Sequence, residues 1–223
     1  MNRILIFYGS YGGGHLSASR SIRDYIQSNY PDSEIMMVDC IEYINKLFNK
    51  VTTKAYVDFS KNARWIWKQL YYGSESGGLA RISNSINRIM AIKLDKLIQE
   101  FCPTLIISTH PFSSQMCAIL KQKGKVNCTL ATVMTDYAPH NQWLVAHEFV
   151  DYYFVAHEGM KEQLIERGVE PNKIYATGIP LSNRFLLNYD KPKILQEYNL
   201  SPDKKTILFF CGGEYGFGKD KTF

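Results

Sequence analysis

A glycine-rich turn near the start of the chain separates an apolar run from an amphipathic one. Arg3-Ile4-Leu5-Ile6-Phe7-Tyr8 is short and β-prone, and Gly9-Ser-Tyr-Gly-Gly-Gly-His15 follows it. Beyond the turn Ala18, Ile22, Tyr25 and Ile26 fall at helical spacing. Strand, glycine turn and helix in that order are how an α/β domain builds a site at the carboxyl end of its sheet. Glycines there let another molecule approach the backbone. They also leave the first N–H groups of the helix facing that space. His15 adds a proton acceptor at the mouth. The plainer alternative is a turn whose glycines serve packing alone.

The turn excludes two common chemistries. No lysine follows the glycines as a phosphate-binding P-loop requires, and Ser17 stands where the dinucleotide fingerprint needs its last glycine. The Gly-x-Ser-x-Gly elbow of a serine hydrolase is absent as well.

The rest of the chain alternates strand and helix. Strands are expected at Ile4–Tyr8, Glu34–Asp39, Leu105–Ile107, Cys128–Val133, Asp151–Val155 and Lys173–Thr177. Helices are expected over about 15–28, around Ile82–Leu97, from Pro111 to about Lys123, and from Glu158 to Arg167. This alternation predicts an α/β fold: a Rossmann-like, doubly wound parallel sheet with helices on both faces. After Pro180 the chain turns polar and reads as a linker, with one helix-like stretch near Lys193–Tyr198. Thr206-Ile-Leu-Phe-Phe-Cys211 then repeats the opening logic and runs into Gly212-Gly213. The division expected is a first domain over 1–183, a linker over 184–205 and the start of a truncated second α/β domain over 206–223.

Charge is unevenly spread. The formal net charge is +5, and between Ile41 and Tyr72 six basic residues face two acidic ones. Lys46, Lys50, Lys54 and Lys61 are interleaved there with aromatic residues that include Trp65 and Trp67. A basic, aromatic, amphipathic stretch suits an anionic bilayer surface. It equally suits a helix packed on the domain with a solvated lysine face. The remainder is nearly neutral and holds no known nucleic-acid-binding module, so no nucleic-acid partner is expected. Five scattered cysteines without a Cys-x-x-Cys pair give no zinc site.

Taken together, Gly12-Gly13-Gly14-His15, Ser108-Thr-His110-Pro111, Val133-Met-Thr135-Asp136 with His140 and Trp143, Thr177-Gly178-Ile-Pro180 and Gly212-Gly213 make the chain resemble one family. It is similar to the monogalactosyldiacylglycerol synthases and processive diacylglycerol glucosyltransferases, and more distantly to the lipid II-forming N-acetylglucosaminyltransferase. The resemblance implies the N-terminal, acceptor-binding half of a GT-B fold. It implies transfer of a hexose from a UDP-sugar to diacylglycerol by a peripheral enzyme at the cytoplasmic face of the cell membrane. A UDP-sugar would be held only once a donor half is supplied, so this chain alone is expected to be inactive. Two other readings stand beside it: a transferase acting on a polyprenyl-linked muramoyl peptide, and a non-catalytic lipid-binding module.

His15 is the candidate base, because a helix N-terminus disfavours the imidazolium and keeps the ring neutral. Asp136, just past a strand end, is the second candidate catalytic group, to bind the acceptor hydroxyl or to orient His15. Gly12, Gly13, Gly14, His110, Pro111, His140 and Trp143 are candidate acceptor-binding residues, with His110 alternatively a satisfied structural histidine. Gly212 and Gly213 are candidates for the donor side. No Asp-x-Asp motif occurs, and Asp136 with His140 lacks an obvious third ligand, so no metal or cofactor is expected.

Residues 41–72 are expected to bring the protein to vesicles containing anionic lipid, at roughly 1 kcal/mol per basic residue near the surface. Sedimentation with vesicles should weaken with added salt and on neutralising Lys46, Lys50, Lys54 and Lys61. Binding indifferent to both would remove this stretch as the anchor.

Overall fold

The computed structural model describes residues 2–9, 13–44 and 94–208. Among them, strands run at Arg3–Tyr8 (β1), Glu34–Asp39 (β2), Leu105–Ser108 (β3), Thr129–Val133 (β4), Tyr152–Val155 (β5) and Ile174–Ala176 (β6). All pair in parallel, in the order β2-β1-β3-β4-β5-β6. The helices are Gly13–Asn29 (α1), Cys40–Ile44 (α2), residues 94–101 (α3), Pro111–Gln122 (α4), Glu158–Glu166 (α5) and Lys191–Glu197 (α6). This is the Rossmann-like parallel sheet read from the alternation of segments. These strands end within a residue or two of expectation, because each is a short, mainly apolar run bounded by turn residues.

Side-chain alternation assigns each strand two faces. Leu5, Phe7, Ile106, Leu130 and Tyr153 join one core cluster, and Ile4, Ile6, Ile107, Ala131 and Val133 form the other. The first is the thicker layer. It contains Leu94, Ile98 and Phe101 of α3, Met116 and Leu120 of α4, and Met160 and Leu164 of α5. The second is roofed by Ile22 and Ile26 of α1. Full burial of a side chain of this size stabilises by about 1.5–3 kcal/mol.

Local chemistry sets the helix ends. His110 is the N-cap of α4, its Nδ1 accepting from the Phe112 N–H at 3.2 Å, and Pro111 fills the first helical position. Arg167 closes α5, and Gly168 follows at φ +93°, the left-handed conformation favoured there. Between β4 and β5 two short 3-10 turns, Asn141–Leu144 and His147–Phe149, pack against α4. Gln115 holds the first by donating to the Gln142 carbonyl and, at 2.9 Å, to its Oε1. These turns carry Trp143 into the core, 1% exposed, where hydropathy periodicity gave no sign of it.

The C-terminal segment differs in detail from expectation. The helix in the presumed linker is α6, which starts two residues before the helix-like stretch read from the sequence because Asp190 caps it, accepting from the Lys193 N–H at 3.1 Å. Thr206, Ile207 and Leu208 carry no strand, and Ile207 and Leu208 are exposed. The rest of that expected strand lies outside the described residues, as do the helix around Ile82–Met90 and the basic stretch beyond Ile44.

One junction ties the sheet to α1. The Thr109 N–H donates to the Phe7 carbonyl at 3.0 Å. Its hydroxyl donates to the His15 carbonyl at 3.0 Å and accepts from the Ser19 hydroxyl at 2.8 Å. Ser19 and Thr109 are both fully buried. Thr109→Val keeps the shape and strands both partners, so it should lower unfolding stability by about 1–3 kcal/mol. A urea midpoint equal to that of the wild type would show the junction to be dispensable.

Candidate active site at the carboxyl end of the sheet

The strand order reverses between β1 and β3, the position at which open α/β sheets form their crevice. His15, two residues into α1, stands over this point. Its Nδ1 lies 2.6 Å from the Thr109 carbonyl oxygen at the end of β3 and 2.9 Å from Thr135 Oγ1 beyond β4. A carbonyl only accepts, so Nδ1 carries the proton and Nε2 keeps its lone pair. Burial lowers the His15 pKa below the ordinary histidine value, partly opposed by the Thr109 bond and the Asp136 charge. Burial, rather than the helix N-terminus invoked from the sequence, is the leading cause of this shift toward the neutral ring.

Asp136 is held from behind and does not orient His15. The Trp143 Nε1–H donates to its Oδ2 at 2.7 Å, and His140 Nε2 faces the same oxygen at 3.5 Å. Burial acts to raise its pKa, but hydrogen bonds from His140 and Trp143 and the nearby histidines outweigh it, so the carboxyl titrates below its ordinary range. Asp136 thus presents a fixed negative charge beside a neutral imidazole. The chemistry open to such an arrangement is general base catalysis, the ring accepting a proton near a carboxylate.

The other expected residues divide by exposure. Gly13 and Gly14 open α1 with nothing within 4 Å of where a Cβ would stand, so their own surroundings do not demand glycine. Gly9 is the packing glycine: a Cβ there would lie 2.7 Å from His110 Cδ2. His110 is 3% exposed and Pro111 and Trp143 are buried, so these three shape the site from beneath. The His110 ring meets the His15 ring edge-on at 4.6 Å between centroids, and burial first, then His15, drives its pKa well down. His140 is half-buried beside Asp136. Gly12, Gly212, Gly213, Lys46, Lys50, Lys54, Lys61, Trp65 and Trp67 lie outside the described residues. Among the described residues no group of three or more acidic, histidine or cysteine side chains is placed to hold a metal.

Two contributors were not assigned roles from the sequence. The Thr109 carbonyl is main chain, which residue identity does not announce. Thr135 sits in a quoted motif, but only the fold reveals that its hydroxyl meets a residue 120 positions away.

Residues 15–181 match the family profile described as monogalactosyldiacylglycerol (MGDG) synthase. The chain belongs to the monogalactosyldiacylglycerol synthase family. It is 29% identical over 223 residues to a processive diacylglycerol beta-glucosyltransferase of Staphylococcus aureus (strain MRSA252), covering 99% of this chain and 54% of that protein. A protein of the same description from Bacillus pumilus (strain SAFR-032) is 30% identical over 212 residues, covering 94% and 54%. The chain thus spans about half the length of the curated relatives it matches. Among solved structures, the UDP-GlcNAc 2-epimerase of Neisseria meningitidis bound to UDP-GlcNAc superposes with a TM-score of 0.51 at 11% identity, over 88% of this chain and 51% of that one. That likeness concerns the fold. The matched family region contains His15, Thr109, Thr135 and Asp136 and so the whole of the described constellation.

The two perturbed histidines fix a pH dependence. Both titrate below the ordinary value of 6.5, so the unfolded chain binds protons that the folded one refuses. Stability is therefore full above that value and declines as pH falls through it. His110→Asn keeps a capping side chain and should make the decline between pH 6.5 and about 5 shallower in urea denaturation. An unchanged slope would mean that His110 protonates as readily in the folded chain as in the unfolded one.

Proposed function

We propose that this chain is the acceptor-binding part of a glycosyltransferase that moves a hexose from a UDP-sugar to diacylglycerol, with His15 as general base. The observation that carries the reading is the His15 tautomer: Nδ1–H is committed to the Thr109 carbonyl at 2.6 Å, leaving Nε2 as acceptor. The acceptor hydroxyl gives its proton to Nε2 as its oxygen bonds to the anomeric carbon. The bond from that carbon to the UDP oxygen breaks, and UDP leaves with the electron pair. Asp136 stabilises the imidazolium, and Gly13 and Gly14 leave the start of α1 open for the lipid headgroup. The product is a glycolipid that still bears hydroxyls, and in this reading it serves as acceptor for a further round, as the word processive denotes in the relatives.

In this reading the donor is held by a second half of the enzyme, with Gly212 and Gly213 as candidate contacts on the donor side. The enzyme works peripherally, at the cytoplasmic face of the membrane, through residues 41–72. Among the described residues no helix is long and apolar enough to cross a bilayer. No metal enters this mechanism.

Transfer from UDP-glucose to diacylglycerol by the full-length natural protein tests the reading. His15→Ala should cut turnover by about 10²–10⁴-fold, the usual worth of a positioned general base, while donor binding changes little. Equal turnover in variant and wild type would remove His15 from the chemistry. Lipid binding by a wild type with no turnover would make the protein a lipid-binding module instead.

A further inference from the structure

Among the described residues Tyr137 is the most exposed aromatic residue at the site, 73% exposed, yet its backbone and one face of its ring are held. It follows Asp136, which Trp143 anchors, and nearly precedes Pro139, which is buried. Its carbonyl accepts from His157 Nε2 at 3.1 Å, and its ring stacks on the His157 ring at 6.0 Å between centroids and 25° between planes. His157 comes from the next strand end, two residues past β5. It occupies the N-cap of α5 without making a side-chain cap bond there. Gly159 leaves it room: a Cβ there would lie 3.2 Å from His157 Nδ1.

An exposed ring ordinarily gains nothing from being held in one orientation, since ordering a side chain costs entropy. With its backbone held by the loop and the His157 hydrogen bond, and its ring stacked on that of His157, Tyr137 presents a flat, preorganised surface. It stands two residues from Thr135, whose hydroxyl is 2.9 Å from His15 Nδ1, so it belongs to the rim of the same site. The surface is amphipathic: an apolar face ending in a hydroxyl and backed by a polar ring. A hexose matches it, with an apolar C–H face for the ring and hydroxyls for the edge. We propose that Tyr137, backed by His157, is an acceptor-side platform for a hexose already attached to the lipid. The identity of that hexose rests on the reading of the preceding subsection. The platform favours the second transfer over the first by placing the free hydroxyls of the bound glycolipid toward His15.

The test uses the 223-residue chain and octyl β-D-glucoside below its micellar concentration, followed by the ring resonances of His157 in NMR. A saturable shift is expected with the glucoside and none with 1-octanol, which offers the alkyl chain without the sugar. Tyr137→Ala should weaken glucoside binding by about three- to tenfold, the usual worth of an aromatic stack, and Tyr137→Phe should retain it. No shift, an equal shift with octanol, or unaltered binding by Tyr137→Ala would each overturn the platform. In the full-length protein, Tyr137→Ala should lower the ratio of dihexosyl to monohexosyl lipid while first transfer persists, and an unchanged ratio would count against it. The two readings fail separately. Glucoside binding without any transfer removes the transferase assignment and leaves the platform. Transfer without glucoside binding removes the platform alone.

Discussion

The bond from His15 Nδ1 to the Thr109 carbonyl is the contact on which the site depends. Its acceptor is main chain at the end of a central strand, placed by the pairing of Phe7 with Ser108 and by the Thr109 N–H donated to Phe7. The orientation of the imidazole is therefore a property of the sheet rather than of a mobile partner side chain. A carbonyl differs from a carboxylate in this role. It fixes the tautomer without placing a full negative charge against the ring, so burial prevails and the ring stays neutral. In the proposed reaction the charge needed once the ring is protonated comes instead from Asp136, which Trp143 and His140 hold.

Holding these groups requires a polar layer inside an otherwise apolar domain. Ser19, Ser108, Thr109, Ser113, Ser114 and Thr132 are all buried near the carboxyl end of the sheet. Burying hydroxyls costs stability unless each finds a partner. Here Ser19 meets Thr109, Ser114 meets Thr132 at 2.7 Å, and Ser108 and Ser113 both donate to the His110 carbonyl. The layer locks α1 and α4 to the strand ends in one arrangement. Apolar packing alone tolerates small shifts, whereas a satisfied hydroxyl network has one good geometry.

What the sequence disclosed follows from the same physics. Glu34–Asp39 and Pro111 were legible because a six-residue strand between turn residues, and a proline at a helix start, each have one local solution. That His15 and Asp136 stand at one edge was legible because strand ends converge there in any parallel sheet. The inward turn of Trp143 was not, because a four-residue 3-10 turn has no periodicity to read. Neither was the carbonyl of Thr109, since every residue has one. The glycine turn proved mixed: Gly9 answers to the His110 ring, and Gly13 and Gly14 face open space. Residue type alone cannot separate these two uses.

Four of the five histidines stand at this one edge, and their nitrogens explain their different work. His110 spends Nδ1 as an acceptor on its own helix, so the ring is a buried cap. His140 turns Nε2 toward Asp136 and helps keep that carboxylate charged. His157 spends Nε2 on the Tyr137 carbonyl and lends its face to the tyrosine ring. His15 alone of these spends its N–H on a strand-end carbonyl and keeps Nε2 for what enters the crevice. A side chain of one kind thus serves as cap, as support for a charge, as backing for an aromatic face and, in the proposed reaction, as base. The strand end beneath each decides which.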